Sequence, residues 1–213
     1  RNVVIFGGAG AGKSSVINLI SGRVRAKVGS GTGGCTLQST PYMENIDGVQ
    51  IRIHDTAGLN EAEEGTVAAR DAIIALFRLL EGLAEGISLL VLCRRGRITD
   101  NETRNYKMFV EGLCQKKVPT VILMTGLELE EPNMESWWSR NGQEFHKYGM
   151  TFAGHACITS TRGKAKGGRY WYDEEYAESR ELTRRLICHH LREGGTWRVE
   201  KTGVVMSFMK TSY

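Results

Sequence analysis

Gly7-Gly8-Ala9-Gly10-Ala11-Gly12-Lys13-Ser14 follows directly on the apolar run Val3-Val4-Ile5-Phe6, and this junction decides the fold. A short apolar run ended by glycines reads as a buried strand, and the amphipathic stretch after Ser14 reads as a helix. Gly7, Gly8, Gly10 and Gly12 are expected to let the chain turn with positive φ and to leave room where a Cβ would obstruct. The helix that follows aims its unpaired N–H groups back at the loop, which suits an anion. A polyphosphate needs convergent N–H groups, a cation and a hydroxyl for its metal, and this stretch supplies all three. Gly8-Ala9-Gly10-Ala11-Gly12-Lys13-Ser14-Ser15 is therefore the expected phosphate cradle, with Lys13 bridging the β- and γ-phosphates and Ser14 on Mg²⁺. A plain Gly-rich turn is the competing reading, disfavoured by the strand before it and the helix after it.

Working outward, Ile51-Arg52-Ile53-His54-Asp55-Thr56-Ala57-Gly58 ends a second strand on an acid. Asp55 is the expected carboxylate partner of the metal from the opposite side. Gly58 offers a backbone N–H at the γ-phosphate, which makes Thr56 to Gly65 a nucleotide-sensing segment. Between the two motifs Thr32, Thr36 and Thr40 are available, and Thr36 is chosen as the second hydroxyl on Mg²⁺ because it lies late in the loop, ahead of an edge strand. Lys13, Thr36 and Gly58 form the expected catalytic set.

Apolar runs of strand length alternate with longer amphipathic stretches, the pattern of strand–helix–strand units. Strands are expected near Val3–Phe6, Val49–His54, Ile87–Cys93, Thr120–Met124 and Ala156–Ile158, with an edge strand at Thr40–Asn45 joined by the turn Asp47-Gly48. Helices are expected over Thr66–Leu83, Asn101–Gln115, Met134–Tyr148 and Asp173–Leu191, and loops over Arg23–Ser39 and Thr159–Gly168. The fold class is α/β, a three-layer P-loop NTPase fold with a mainly parallel sheet, one antiparallel edge strand and helices on both faces. Residues 1–193 form one domain and 194–213 a tail.

At 41% hydrophobic and 24% charged residues, the 213-residue chain can bury one core and is neither disordered nor membrane-spanning in character. A net charge of +4 is too mild to imply a nucleic-acid partner. Five cysteines without a C-x-x-C pair suggest neither zinc nor a disulfide framework, so a cytoplasmic setting fits. Starting at Arg1 immediately before a strand, the chain reads as an excised domain without a signal peptide, and no run is long enough for a transmembrane segment.

The order of these motifs resembles the translation-factor-like GTPases, and more narrowly the branch that holds septins, Toc receptors and immunity-associated GTPases. Gly96-Arg97-Ile98-Thr99-Asp100-Asn101-Glu102 is similar to a box of the immunity-associated family, and G-C-T-L-Q-S-T-P-Y, D-T-A-G-L-N-E and C-Q-K-K-V-P resemble uncharacterised fungal G-domain proteins. The resemblance implies GTP or GDP as ligand with Mg²⁺, read through N/T-K-x-D after the fifth core strand. Here that position holds Thr125-Gly126-Leu127-Glu128, so Glu128 takes the carboxylate's place and Gly126 replaces the lysine whose stem covers the base. A second base loop is implied at Thr159-Ser160-Thr161-Arg162, where Arg162 takes the place of a lysine and stacks over the base.

Ras-like enzymes carry a water-orienting glutamine after D-x-x-G, and here Leu59 stands there, with Asn60, Glu61 and Glu64 nearby. Leucine cannot orient water, so hydrolysis is expected to be slow. Homodimerisation across the nucleotide face, with arginine supplied from among Arg94, Arg95 and Arg97, follows from the resemblance. Two readings stay open beside the GTP switch: an ATP-using P-loop enzyme, and a nucleotide-gated scaffold with negligible turnover. Elsewhere, His54 reads as a packing residue, Cys35 as a spectator, and one of Trp137 and Trp138 as exposed, since neighbours on a helix face different ways.

Overall fold

In the computed structural model, residues 1–26, 41–56 and 67–198 are described. Strand β1 (Asn2–Phe6) is buried along its whole length because it is flanked on both edges and covered on both faces. Such a position demands a continuous apolar run rather than alternation, which is why Val-Val-Ile-Phe sits there. Around it the sheet order is β2 (Tyr42–Ile46), β3 (Val49–Asp55), β1, β4 (Leu89–Arg94), β5 (Thr120–Met124), β6 (Gly154–Cys157). Every neighbouring pair is parallel except β2 with β3, the expected antiparallel edge. Their turn places Asp47 at φ 50° and Gly48 at φ 84°, the left-handed pair that a two-residue hairpin of matching twist requires.

Successive residues on each strand serve opposite layers. Val3, Ile5, Leu89, Val91, Val121 and Leu123 face helices α1 (Lys13–Ser21) and, near the C-terminus, α6 (Asp173–Glu193). Val4, Phe6, Leu90, Leu92, Ile122 and Met124 face α2 (Val67–Gly82), α3 (Asp100–Tyr106) and the short helices α4 (Glu135–Asn141) and α5 (Glu144–Lys147). The three-layer α/β fold is thus the one expected. Helix α6 is tied to the end of α1: Arg180 Nε donates to Leu19 O at 3.1 Å and Arg184 to Ile20 O at 3.2 Å, satisfying terminal carbonyls and placing cations at the negative end of the helix dipole.

Several boundaries differ from the sequence expectations. The helix expected over Asn101–Gln115 is α-helical only to Tyr106 and then π-helical over Lys107–Leu113. The widened turn brings Phe109, Val110 and Leu113 together into the core, where Phe109 stacks on Phe6 at 4.6 Å. The stretch Met134–Tyr148 breaks into α4 and α5, and the break lets Phe145 contact both Trp137 and Trp138. Consequently neither tryptophan is exposed; Trp138 also stacks on His155 at 4.1 Å. The segment expected to be loop to Gly168 carries a two-stranded hairpin, β7 (Ala165–Lys166) with β8 (Arg169–Tyr170), turning at Gly167-Gly168. Trp197 pairs antiparallel with Ile87. No helix among the described residues is long and apolar enough to cross a membrane.

Candidate phosphate and base site

The loop after β1 is shaped by one close approach. Gly7 has φ +143°, and a Cβ there would stand 2.1 Å from the carbonyl oxygen of Cys93 on β4. Only glycine lets these two backbones touch. Gly10 and Gly12 also have positive φ, at 72° and 89°, but Gly8 does not, so the expected left-handed turn at Gly8 is absent. Helix α1 begins at Lys13 without a side-chain cap, and its first backbone bond runs from Val16 N to Gly12 O. The N–H groups of Lys13, Ser14 and Ser15 precede that bond and have no acceptor within the helix.

Lys13 is buried, and its Nζ donates to Gly7 O at 2.7 Å and Gly8 O at 2.9 Å. Among the described residues no carboxylate pairs with this buried amine, which is held by two backbone carbonyls instead, an arrangement suited to an anionic ligand. Ser14 Oγ lies 3.5 Å from Asp55 Oδ2, where β3 ends beside the start of α1. A hydroxyl facing a carboxylate is an oxygen donor set of the type that hard cations such as Mg²⁺ take. Thr56 locks the end of β3 to β1, its backbone N and Oγ1 both donating to Ile5 O. Behind Asp55, His54 is buried against Asn2 Oδ1 at 3.2 Å, and burial pushes its pKa down to about 4, so it is a neutral packing group at pH 7. Burial likewise pushes the Cys93 thiol up to about 12, leaving it inert.

Two further segments reach the same helix start from distant parts of the chain. Thr125, after β5, donates its Oγ1 to Ala11 O at 2.9 Å, and its backbone N donates to Arg94 O at 2.7 Å. Ser160, after β6, stands with Thr125 around Gly12: a Cβ at Gly12 would meet Ser160 Oγ and Thr125 Oγ1, each at 3.3 Å. The 159–163 loop is held by Thr159 N donating to Ser179 Oγ of α6 and by Thr161 N donating to Thr159 Oγ1. Glu128 is half-buried, and its Oε2 is fully buried with no hydrogen-bond donor among the described residues. A carboxylate oxygen so placed is costly unless a ligand supplies the donor. Arg162 leans over Tyr176 and Tyr170, at 4.8 and 5.7 Å, with Asp173 at 3.7 Å.

Thr36, Gly58, Leu59, Asn60, Glu61, Glu64 and Cys35 lie outside the described residues, as does the tail beyond residue 198. Arg94, one of three arginines expected to be offered to a partner, is fully buried and paired with Glu102 instead. Glu102 is also the fourth residue of a capping box with Thr99 at the start of α3. In the sequence, Gly96 to Glu102 reads only as a box similar to that of a known family, and both the cap and the arginine that shares its glutamate were missed. Arg95, expected from the sequence to serve only a partner, has its side chain against Gly126.

Comparison with known proteins follows the same lines. Residues 2–125 match the family described as 50S ribosome-binding GTPase. The GTPase Der of Nautilia profundicola is 30% identical over 148 residues, covering 68% of this chain and 28% of Der, so the chain spans little more than a quarter of that relative. Among solved structures, Toc33 from Arabidopsis thaliana in complex with GDP and Mg²⁺ superimposes with a TM-score of 0.65 at 18% identity, over 94% of this chain and 88% of Toc33. A dimerization-deficient mutant of Toc33 gives 0.61 at 18% identity, over 93% and 87%. At such identity the likeness carries the fold.

Proposed function

The chain belongs to the family described as 50S ribosome-binding GTPase and is a GTP-binding G domain, and from that premise we propose that it is a Mg²⁺-dependent switch that hydrolyses GTP slowly and pairs across its nucleotide face. The observation that carries the reading is the convergence on Gly12 of three segments, the loop before α1, Thr125 and Ser160, with the unpartnered carboxylate oxygen of Glu128 on one of them. In this reading Gly8 to Ser15 cradle the phosphates and Lys13 neutralises them. Thr125, Glu128 and the backbone of Ser160, Thr161 and Arg162 surround the base, with Glu128 accepting from the N–H edge of guanine. Ser14, Asp55 and Thr36 would hold Mg²⁺, which when bound offsets phosphate charge. Thr36 and the Gly58 N–H report the γ-phosphate, and residues 1–193 act as the G domain, with 194–213 as its tail. The setting is cytoplasmic, and the relationship is to the septin, Toc and immunity-associated branch and its fungal G-domain members.

Lys13→Ala is expected to weaken GDP by at least about tenfold to a hundredfold, the size of a charged hydrogen bond to phosphate. Glu128→Ala should weaken GDP by about tenfold and leave ADP unchanged, measured by calorimetry. Unchanged GDP affinity in Glu128→Ala would remove Glu128 as base reader.

Leu59 favours slow turnover, because a leucine in the sequence position of the water-orienting glutamine cannot itself hydrogen-bond water. It equally supports a scaffold reading, in which bound GTP promotes assembly. Pairing is supported by Arg97, which is exposed shortly after β4, and by the likeness to Toc33. Sedimentation is expected to show a dimer with a non-hydrolysable GTP analogue and a monomer with GDP; identical profiles would sink the pairing.

A further inference from the structure

We infer that Arg95 forms one wall of the base pocket, stacking its guanidinium on the purine; the inference rests on the nucleotide site proposed above. Gly126 has φ +77°, and a Cβ on it would stand 2.5 Å from Arg95 Nε, 3.1 Å from its Cδ and 3.2 Å from its Cζ. The arginine therefore occupies the space that any side chain at 126 would fill. The placement is built from behind. Arg94 is fully buried and held by Glu102 and by Gly96 O, and both the N–H and the Oγ1 of Thr125 donate to Arg94 O. The residue before Arg95 is thus locked to the residue before Gly126, and Arg95 is laid across the glycine as a consequence.

Arg95 itself is exposed and has no carboxylate partner among the described residues. Two residues beyond Gly126, the buried Oε2 of Glu128 lacks a donor. A purine whose edge donates to that oxygen brings one ring face toward Gly126 and the cation lying on it. Guanidinium is planar, weakly hydrated and stacks on aromatic faces, which an ammonium does not do equally. Arg162 is engaged with Tyr176, Tyr170 and Asp173, whereas Arg95 lies against Gly126, so Arg95 is the better-placed of the two arginines for this contact.

The test titrates the full chain and its Arg95→Ala, Arg95→Lys and Glu128→Ala variants with Mg²⁺-GDP and with Mg²⁺-pyrophosphate, which has no base. Arg95→Ala is expected to weaken GDP about tenfold, leave pyrophosphate unchanged, and not be rescued in Arg95→Lys. Equal loss for pyrophosphate, or full rescue by lysine, would assign Arg95 a charge role toward phosphate and overturn the stacking. If Glu128→Ala weakens GDP while Arg95→Ala does not, Arg95 is dismissed and the base site stands. If neither variant alters GDP affinity, the base site itself fails and Arg95 with it.

Discussion

Gly7→Ala is expected to lower stability by about 3 kcal/mol or more and the midpoint of thermal unfolding by roughly 6–12 °C. The new methyl would stand 2.1 Å from the Cys93 carbonyl oxygen, backbone against backbone, at a φ of +143° that L side chains rarely adopt. No rotamer change relieves such a contact, so β1 and β4 must separate at the point where the phosphate loop leaves the sheet. Gly8→Ala is the control, since its φ is not positive and a Cβ there meets nothing within 4 Å; its melting midpoint should stay within about 1–2 °C of the parent. Equal melting of the two variants would mean that the close approach does not constrain the fold.

Glu102→Ala is expected to be at least as damaging, by about 3–5 kcal/mol, because it leaves the Arg94 guanidinium buried without a counter-charge. Burial pulls the Arg94 pKa down while Glu102 pushes it up, so the two effects oppose each other at this pair. The same substitution removes the capping box of α3, worth about 1 kcal/mol. Arg94→Met combined with Glu102→Leu should recover most of the loss, since a buried ion pair is usually replaceable by apolar groups of similar volume although a half-pair is not. A melting curve of Glu102→Ala superimposable on the parent's would show that the pair is not what fixes the end of β4. The double variant also reports on function: Arg94 O accepts from Thr125, so any residual loss of GDP affinity at full stability measures how far the Arg94–Glu102 side chains hold this carbonyl under the base loop.

Local signals made the sheet legible. The unbroken apolar run Val3–Phe6 announced a strand covered on both faces, and the strand–glycine–lysine junction announced a helix start, because both depend on residues adjacent in sequence. The Asp47-Gly48 turn was equally local. What escaped the sequence depends on contacts between distant segments. Nothing near Tyr106 marks the change to π-helix, whose wider turn serves Phe109 against Phe6, about a hundred positions away. Likewise the split between α4 and α5 follows from seating Phe145 between two tryptophans. At the site, the motif order located the segments around Gly12 but could not show that Glu128 would keep a buried oxygen without a donor, nor that Arg95 would lie where Gly126 has no side chain. Arg94 and Arg95 are adjacent in sequence yet have opposite fates, one sealed in the core and one exposed, because β4 ends between them.

Titration of the purified chain with GDP, GTP, ADP and ATP, each with and without Mg²⁺, bears most directly on the central claim. The guanine nucleotides should bind at least about tenfold tighter than their adenine counterparts, since adenine's amino group and ring nitrogen do not match the acceptor at Glu128, and Mg²⁺ should strengthen GTP. Equal or tighter binding of ADP and ATP would contradict the reading of this site as a guanine pocket.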